Sequence, residues 1–581
     1  MVLFRNTALA ALALASVTPL AAPFTTPALA KTAATAPFES GMVSAADPRA
    51  AEAGAEILRQ GGNATDAALA VLLALTVVEP QSSGIGGGGF LVLDTGPGKA
   101  GGGQLITLDG RETAPKAATP DWFKAGDKYL SYMEAIPGGK SVGVPGNLAL
   151  MAEAHRRHGK LKWRALFQPA IRLARDGFVV SLRLNQFLTR FKLLAASTEQ
   201  GRTLYYHADG SPIAAGSTLK NPALATFLEH LSREGPKAFY RGQNAAEIVR
   251  TVNTAPRNPS AMTLADIKAY RAKSRPPVCV TYRQHRMCGM GPPSSGATTV
   301  LGTLKLLERF DLKAMGKDSP TAWHLIAEAQ RLAYADRERY LADPDFVDVP
   351  VVGLLAPDYI AARSQLIATD RAMPSVAPGN PAGVKVALAD GAGPVERGTS
   401  HFSVIDRNGM TASLTSTIEG PFGSGLMVNG YFLNNELTDL SILPERDGRL
   451  VANRVEGGKR PRSSMAPTIV YGPDGKVKLA VGAAGGVTIP AQVLKAIIAV
   501  VDWNLPADQA LALPVIYAPG GNTVFVERGT EHEALIPVLQ GLGHAEVRLR
   551  DRSFKGNAVQ VLDGKLLGAA DPRSEGEAAR Q

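Results

Sequence analysis

The chain alternates between Ala- and Leu-rich stretches of helical composition and shorter Gly-, Ser- and Val-rich stretches that read as turns and strands. Helices are predicted at 50–58 and 64–77, followed by a Gly-rich run at 81–93 that ends in an apolar strand, 90–93. Residues 145–270 are mostly helical, with predicted helices at 146–158, 163–176 and 222–234, and a further one follows at 321–341. The character changes near 375. Gly, Pro and Ala crowd 374–398, which reads as an exposed loop. Behind it, 400–418 is rich in Ser, Thr and Val around Arg407-Asn408-Gly409, the pattern of a β-hairpin with arms 400–406 and 410–418. Strands at 468–471, 477–481, 523–526 and 545–548 and helices at 488–502, 506–513 and 531–540 complete a C-terminal part that mixes a sheet with helices.

Residues 1–30 have the pattern of a secretory signal. Arg5 precedes an apolar run at 8–17, and Ala28-Leu29-Ala30 gives a small-x-small site before Lys31. The run is far short of the ~20 residues that span a bilayer. The expectation is a periplasmic or secreted mature chain with no membrane span. The composition, 45% hydrophobic and 20% charged, excludes disorder. The 60 Gly and 40 Pro residues exclude a coiled coil and, lacking a G-X-Y period, collagen. The net charge of +10 is scattered in short clusters such as Arg156-Arg157 and Lys459-Arg460. That is the pattern of a solvated basic surface, and no nucleic-acid partner is expected.

Cys279 and Cys288 belong to no CxxC motif. A two-residue turn at Arg283-Gln284 sets them opposite each other on paired strands, close enough to bridge or to stay as buried thiols. Gly84-Ile85-Gly86-Gly87-Gly88-Gly89 matches G-x-G-x-x-G in letters only. A helix precedes it and a strand follows, the reverse of a dinucleotide site, so a close-packed backbone passage is expected. No metal, nucleotide or flavin is indicated.

Three features converge on one chemistry. Gly398-Thr399 ends the loop and begins the hairpin, and a turn centred on Asn408 sets Thr417 opposite Thr399, two hydroxyls side by side. Ala483-Ala484-Gly485-Gly486 separates a strand from a helix and offers bare N–H groups suited to an oxyanion. Asn434-Asn435-Glu436-Leu437-Thr438-Asp439 carries two carboxylates for an ammonium, and Ser463-Ser464, after Arg460-Pro461-Arg462, offers hydroxyls for a carboxylate. Together they describe a receptor for an amino acid's α-amino and α-carboxyl groups.

With these blocks the chain resembles the gamma-glutamyltransferases (glutathione hydrolases) of the N-terminal-nucleophile hydrolase superfamily. Further matching motifs are Asp47-Pro48, Gly61-Gly62-Asn63-Ala64-Thr65-Asp66, Glu79-Pro80, Val144-Pro145-Gly146, Pro292-Pro293-Ser294-Ser295-Gly296, Leu332-Ala333-Tyr334-Ala335-Asp336-Arg337 and Asp571-Pro572-Arg573. The resemblance runs from about 41 to 574. It implies an α+β fold, a four-layer αββα sandwich formed by two autoprocessed subunits. Scission between Gly398 and Thr399 would yield a large subunit, 31–398, and a small one, 399–581, forming a heterodimer. Thr399 would be the nucleophile and its freed α-amine the base, with Thr417 orienting it. Gly485 and Gly486 would form the oxyanion hole. Arg111, Ser463 and Ser464 would hold the donor's α-carboxylate, and Glu436 and Asp439 its α-amino group. The donor would be glutathione or a related γ-glutamyl amide, and the acceptor water, an amino acid or a peptide.

Glu419 departs from the family, standing where well-studied members have Asn and adding a third carboxylate to the amino-group site. Val487-Thr488 also differs from the Ser-Arg often seen after the Gly pair. The short stretch between Asp439 and Ser463 holds no Tyr, whereas many members have a longer lid there with an aromatic gate. An open site predicts more hydrolysis than transfer. The alternatives are a glutaryl-cephalosporin-type acylase of the same superfamily and, in a different class, an uncut, non-catalytic periplasmic amino-acid-binding protein.

Overall fold

Strands form where β-branched and small residues cluster, as their fit to a pleated surface requires. In the computed structural model, which describes residues 37–97, 103–391, 398–551 and 555–581, they build two large antiparallel sheets. In chain order the strands are β1 (Met42–Ala45), β2 (Gly88–Asp94), β3 (Leu105–Asp109), β4 (Lys273–Ser274), β5 (Val278–Tyr282), β6 (His285–Gly289), β7 (Ser400–Ile405), β8 (Thr411–Thr417), β9 (Thr468–Tyr471), β10 (Val477–Ala484), β11 (Lys555–Leu562), β12 (Lys565–Ala570) and β13 (Glu577–Arg580). The first sheet runs β13-β1-β7-β8-β2-β3-β4 and the second β12-β11-β10-β9-β6-β5.

Helices cover both outer faces. α1 (Pro48–Arg59) and α2 (Ala64–Val78) lie on the first sheet. Every residue of α2 is buried, the property of a helix that is apolar all round. Its start is fixed by a capping box between Asn63 and Asp66. α3 (Gly296–Leu307) and α5 (Ile489–Val501) cover the second sheet, with α4 (Pro320–Tyr340) packed on α3. Alternation along β7 explains the stacking: Phe402 and Val404 join the core under α2, while Ile405 meets Val559 and Leu566 of the second sheet. The result is the expected αββα order, within one compact unit at 37–581.

The hairpin lies in the middle of the first sheet. β7 pairs with β1 on one side, and β8 pairs with β2 on the other. Described segments before and after Thr399 therefore share one ladder. The cysteines are bonded, Cys279 facing Cys288 across a turn whose Arg283 and Gln284 both have positive φ. The Gly run is a close passage: a Cβ on Gly86 would lie 2.0 Å from the Phe432 carbonyl oxygen, and one on Gly87 1.9 Å from that of Thr417.

Three predicted helices need correction. The 163–176 helix breaks into Trp163–Leu166 and Gln168–Asp176, because Pro169 has no N–H to continue the ladder. The 531–540 stretch is a 3₁₀ turn, Glu531–Leu535, followed by Ile536–Gly541, again with a proline at the junction. The helix expected from 488 begins at Ile489 after a 3₁₀ turn, Gly486–Thr488. The expected signal, 1–30, and part of the 374–398 loop lie outside the described residues. Among the described residues no helix is long and apolar enough to cross a membrane.

Candidate active site

The hairpin register positions the first pair of groups. Ser400 faces Ser416, so the next pair outward is Thr399 and Thr417. The Thr399 hydroxyl donates to Thr417 Oγ1 at 3.1 Å, and the Glu419 N–H donates to the same oxygen at 2.8 Å. Thr399 N–H donates to the Ser82 carbonyl at 2.9 Å, in the turn that follows α2. On the other side of the peptide link, Gly398 N–H donates to the Glu419 carbonyl at 2.8 Å. A Cβ on Gly398 would lie 2.0 Å from that oxygen, so only glycine fits. Thr399 has φ +96° and Glu419 φ +73°. A positive φ at a β-branched residue is an outlier worth roughly 1–3 kcal/mol of strain, and here it falls on the Gly398–Thr399 junction.

Beneath this junction lies a buried ionic contact. Ser400 Oγ donates to Glu79 Oε2 at 2.5 Å, and Lys555 Nζ donates to the same carboxylate oxygen at 2.7 Å. Burial lowers the Lys555 pKa. Lys555 pairs with Ala484 at the end of β10, and its Nζ lies 3.3 Å from Ser400 Oγ, which ties the strand end before Gly485 and Gly486 to the residue after Thr399. Both glycines have positive φ, +129° and +63°, in the sharp passage from β10 into the 3₁₀ turn. Thr488 Oγ1 caps the Gly485 carbonyl at 2.8 Å. His401, two residues from Thr399, is no base for it. Its ring nitrogens contact Thr415 Oγ1 and Ser403 Oγ between the sheets, and burial holds its pKa down to about 3.

The charged residues form a second cluster. Arg111, just beyond β3, is ion-paired with both Glu436 and Asp439 on the turn Glu436–Asp439. Its Nε donates to the Pro461 carbonyl at 3.2 Å and its Nη2 to that of Arg462 at 3.1 Å. The arginine expected to take a carboxylate and the acids expected to take an ammonium are thus joined to each other. One oxygen of each acid, Glu436 Oε2 and Asp439 Oδ1, is buried without a hydrogen-bond partner. A zwitterion entering here would offer Arg111 a carboxylate and the two acids an ammonium, replacing the partners each would lose.

Glu419 joins the two clusters. Its carboxylate accepts from Tyr132 Oη at 2.6 Å and from Asn435 Nδ2. Burial, with the Asp439 charge nearby, pushes its pKa up to about 8; burial does the same to Glu112, and raises Glu436 well above the carboxylate range. Ser464 Oγ accepts from Arg337 Nη2 at 2.7 Å, and Ser463 Oγ from Met465 N–H at 3.2 Å. Ser295 donates twice to the Ser463 carbonyl, so the Pro292–Ser295 and Leu332–Arg337 motifs build the floor behind the serine pair. A cavity of about 520 Å³ opens beside the cluster, lined by Tyr132, Thr438 and Ser441. The short stretch after Asp439 forms an exposed hairpin, Glu445–Arg446 with Arg449–Leu450. Among the described residues no group of three His, Cys, Asp or Glu is placed to hold a metal ion.

Sequence reasoning missed Tyr132, Arg337, Lys555 and Glu112. Glu112 had a local signal as the acid next to Arg111, and Arg337 as the last residue of the Leu332–Arg337 motif; Tyr132 and Lys555 had none.

A helix–sheet–sheet–helix stack with a threonine heading a central strand defines an N-terminal-nucleophile hydrolase. The model of the gamma-glutamyltranspeptidase family matches residues 50–581, and the chain belongs to that family. It is 36% identical over 551 residues to the glutathione hydrolase proenzyme of Bacillus subtilis strain 168, covering 93% of this chain and 91% of that one. Among solved structures it is similar to cephalosporin acylase from Bacillus halodurans, with a TM-score of 0.79, 25% identity, and coverage of 96% and 98% of the two chains. It is also similar to gamma-glutamyltranspeptidase from Helicobacter pylori, with a TM-score of 0.54, 34% identity, and coverage of 57% and 93%.

Proposed function

We propose that this chain cleaves itself between Gly398 and Thr399 and then hydrolyses γ-glutamyl amides such as glutathione through a γ-glutamyl ester on Thr399. The observation that carries the reading is the Thr399–Thr417 hydroxyl pair at 3.1 Å on a strained peptide link, beside a buried cluster of matched charges. In the first step Thr399 Oγ attacks the Gly398 carbonyl carbon and its proton passes to the departing nitrogen. Water then splits the resulting ester, leaving a Gly398 carboxylate and a free Thr399 α-amine. The products are a large subunit, 31–398, and a small subunit, 399–581, held together by the shared sheet.

The new amine has an ordinary pKa near ~7.7–8.0, so an appreciable neutral fraction exists at pH 7, where a lysine at about 10.4 has almost none. It accepts the Thr399 hydroxyl proton as Oγ attacks the donor's γ-carbonyl. The Gly485 and Gly486 N–H groups receive the oxyanion. The proton passes to the leaving amine, and water or an acceptor amine then takes the acyl group by the same steps reversed. Arg111, Ser463 and Ser464 hold the donor carboxylate; Glu436, Asp439 and Glu419 hold its ammonium. The exposed, short segment after Asp439 favours water over amine acceptors. Export to the periplasm or beyond follows from the 1–30 signal pattern.

Denaturing gels with N-terminal sequencing of the smaller band test the scission; a band starting at Thr399 is expected. Turnover of γ-glutamyl-anilide against glutaryl-anilide tests the donor. The unpartnered oxygens of Glu436 and Asp439 favour the γ-glutamyl compound, since a glutaryl group brings no ammonium. Preference for glutaryl-anilide would make the chain an acylase, and an uncut chain that binds amino acids would make it a receptor.

A further inference from the structure

The net charge of +10 has a structural concentration that its scatter along the sequence hides. A cavity of about 980 Å³ lies among the helices that follow β3, and its lining holds eight lysines and arginines but two glutamates. One of those acids, Glu153, is already paired with Arg156 and Arg157. Lys162, Arg164, Arg233, Lys237, Arg241 and Lys268 are exposed side chains of this lining and make no ion pair among the described residues. A second cavity of about 590 Å³ shares Arg233, Glu234, Lys237 and Arg241 as a wall, so the two adjoin as a groove along one mainly cationic rim. None of the residues of the Thr399 site lines it.

We infer that this groove binds an acidic peptide in extended form. Unpaired cations gathered in a concavity repel one another, and a string of carboxylates relieves that repulsion through charge-assisted hydrogen bonds. An extended peptide repeats its side chains on one face about every 7 Å, a spacing that lets successive carboxylates meet successive cations along an elongated groove. The site is not built for unstacked bases, because the aromatic rings here are engaged with one another and offer no stacking platform. Tyr240 stacks on Tyr270 at 5.9 Å, and Trp163 is packed between His155 and Phe167. Nor is the site built for a bilayer, since a flat surface does not enter a cavity.

The test is fluorescence anisotropy of a fluorescein-labelled peptide of ten α-linked glutamates on the full protein. The charge reversals Arg233→Glu, Lys237→Glu and Arg241→Glu together are expected to weaken binding at least about tenfold. Lys313→Glu, Lys476→Glu and Lys565→Glu together change the net charge equally at exposed positions outside the groove, and are expected to weaken it less than about threefold. Thermal melts check that both variants are folded. Equal losses in the two variants would assign binding to overall charge and overturn the proposal. So would absence of peptide binding, or groove-dependent binding confined to vesicles of anionic lipid.

Discussion

Thr417→Val removes one oxygen and leaves the side-chain shape. That oxygen accepts from the Thr399 hydroxyl at 3.1 Å and from the Glu419 N–H at 2.8 Å, in a buried position. Losing the first bond forfeits about 0.5–1.5 kcal/mol, and stranding the buried N–H costs about 1–3 kcal/mol. Both losses act on the strained segment that holds Thr399, so about 1.5–4.5 kcal/mol falls on the orientation of the nucleophile. At about 1.4 kcal/mol per factor of ten, self-cleavage and kcat should each drop about 10- to 1,600-fold. KM for γ-glutamyl-anilide should change less than kcat, because Thr417 reaches the donor site only through the Glu419 N–H and touches neither Arg111, Glu436 nor Asp439. The first rate is read as the conversion of one band to two on a denaturing gel, and the second from anilide release by the processed fraction. Thr417→Ser keeps the oxygen and should recover most of both. If the valine variant matures and turns over within about twofold of the parent, the second hydroxyl does not orient the first, and the account of this pair fails.

Thr399→Ala should abolish both scission and turnover, and Thr399→Ser should keep part of each; an active, processed alanine variant refutes the mechanism. Arg111→Met leaves Glu436 and Asp439 buried without their cation, so it should destabilise the protein by about 3–5 kcal/mol in denaturant titrations and raise donor KM steeply. Glu419 titrates at about 8 in the fold against an ordinary value of 4.5, so the folded state retains a proton that the unfolded state releases. Its contribution is fully present below about pH 4.5 and is lost as pH rises through about 8; Glu419→Gln should flatten the fall in melting temperature over that window. Replacing Cys279 and Cys288 by Ser opens a bridge of sequence separation 9, worth about 2–3 kcal/mol, and should lower thermal stability while leaving kcat unchanged.

What was legible in the sequence is what a short-range rule determines. A tight turn fixes the register of both its arms, so locating Asn408 and Arg283-Gln284 was enough to set Thr399 beside Thr417 and Cys279 beside Cys288. Burial of α2 and the close passage at Gly86 and Gly87 follow equally from local composition. The charge cluster obeys no such rule. Arg111 meets Glu436 and Asp439 across 325 and 328 residues, Tyr132 reaches Glu419 across 287, and Lys555 reaches Ser400 across 155. Each residue alone reads as a solvated side chain, and only the packing of two sheets brings them together. The same packing changes their chemistry: an acid such as Glu419, ordinary in water, is held protonated to about pH 8 by burial and by the Asp439 charge beside it, against the opposing pull of the Tyr132 and Asn435 hydrogen bonds. The family's Asn at that position offers a neutral amide, and a protonated Glu is its near equivalent in charge. The extra carboxylate that the sequence suggests would reshape donor choice is therefore expected to act as a neutral hydrogen-bonding group below that pH, and to make its charge felt only above it. Donor KM for γ-glutamyl-anilide should accordingly change more between pH 7 and 9 in the parent than in Glu419→Gln, where Glu112 still titrates in that window; equal changes in both would assign the effect to another group.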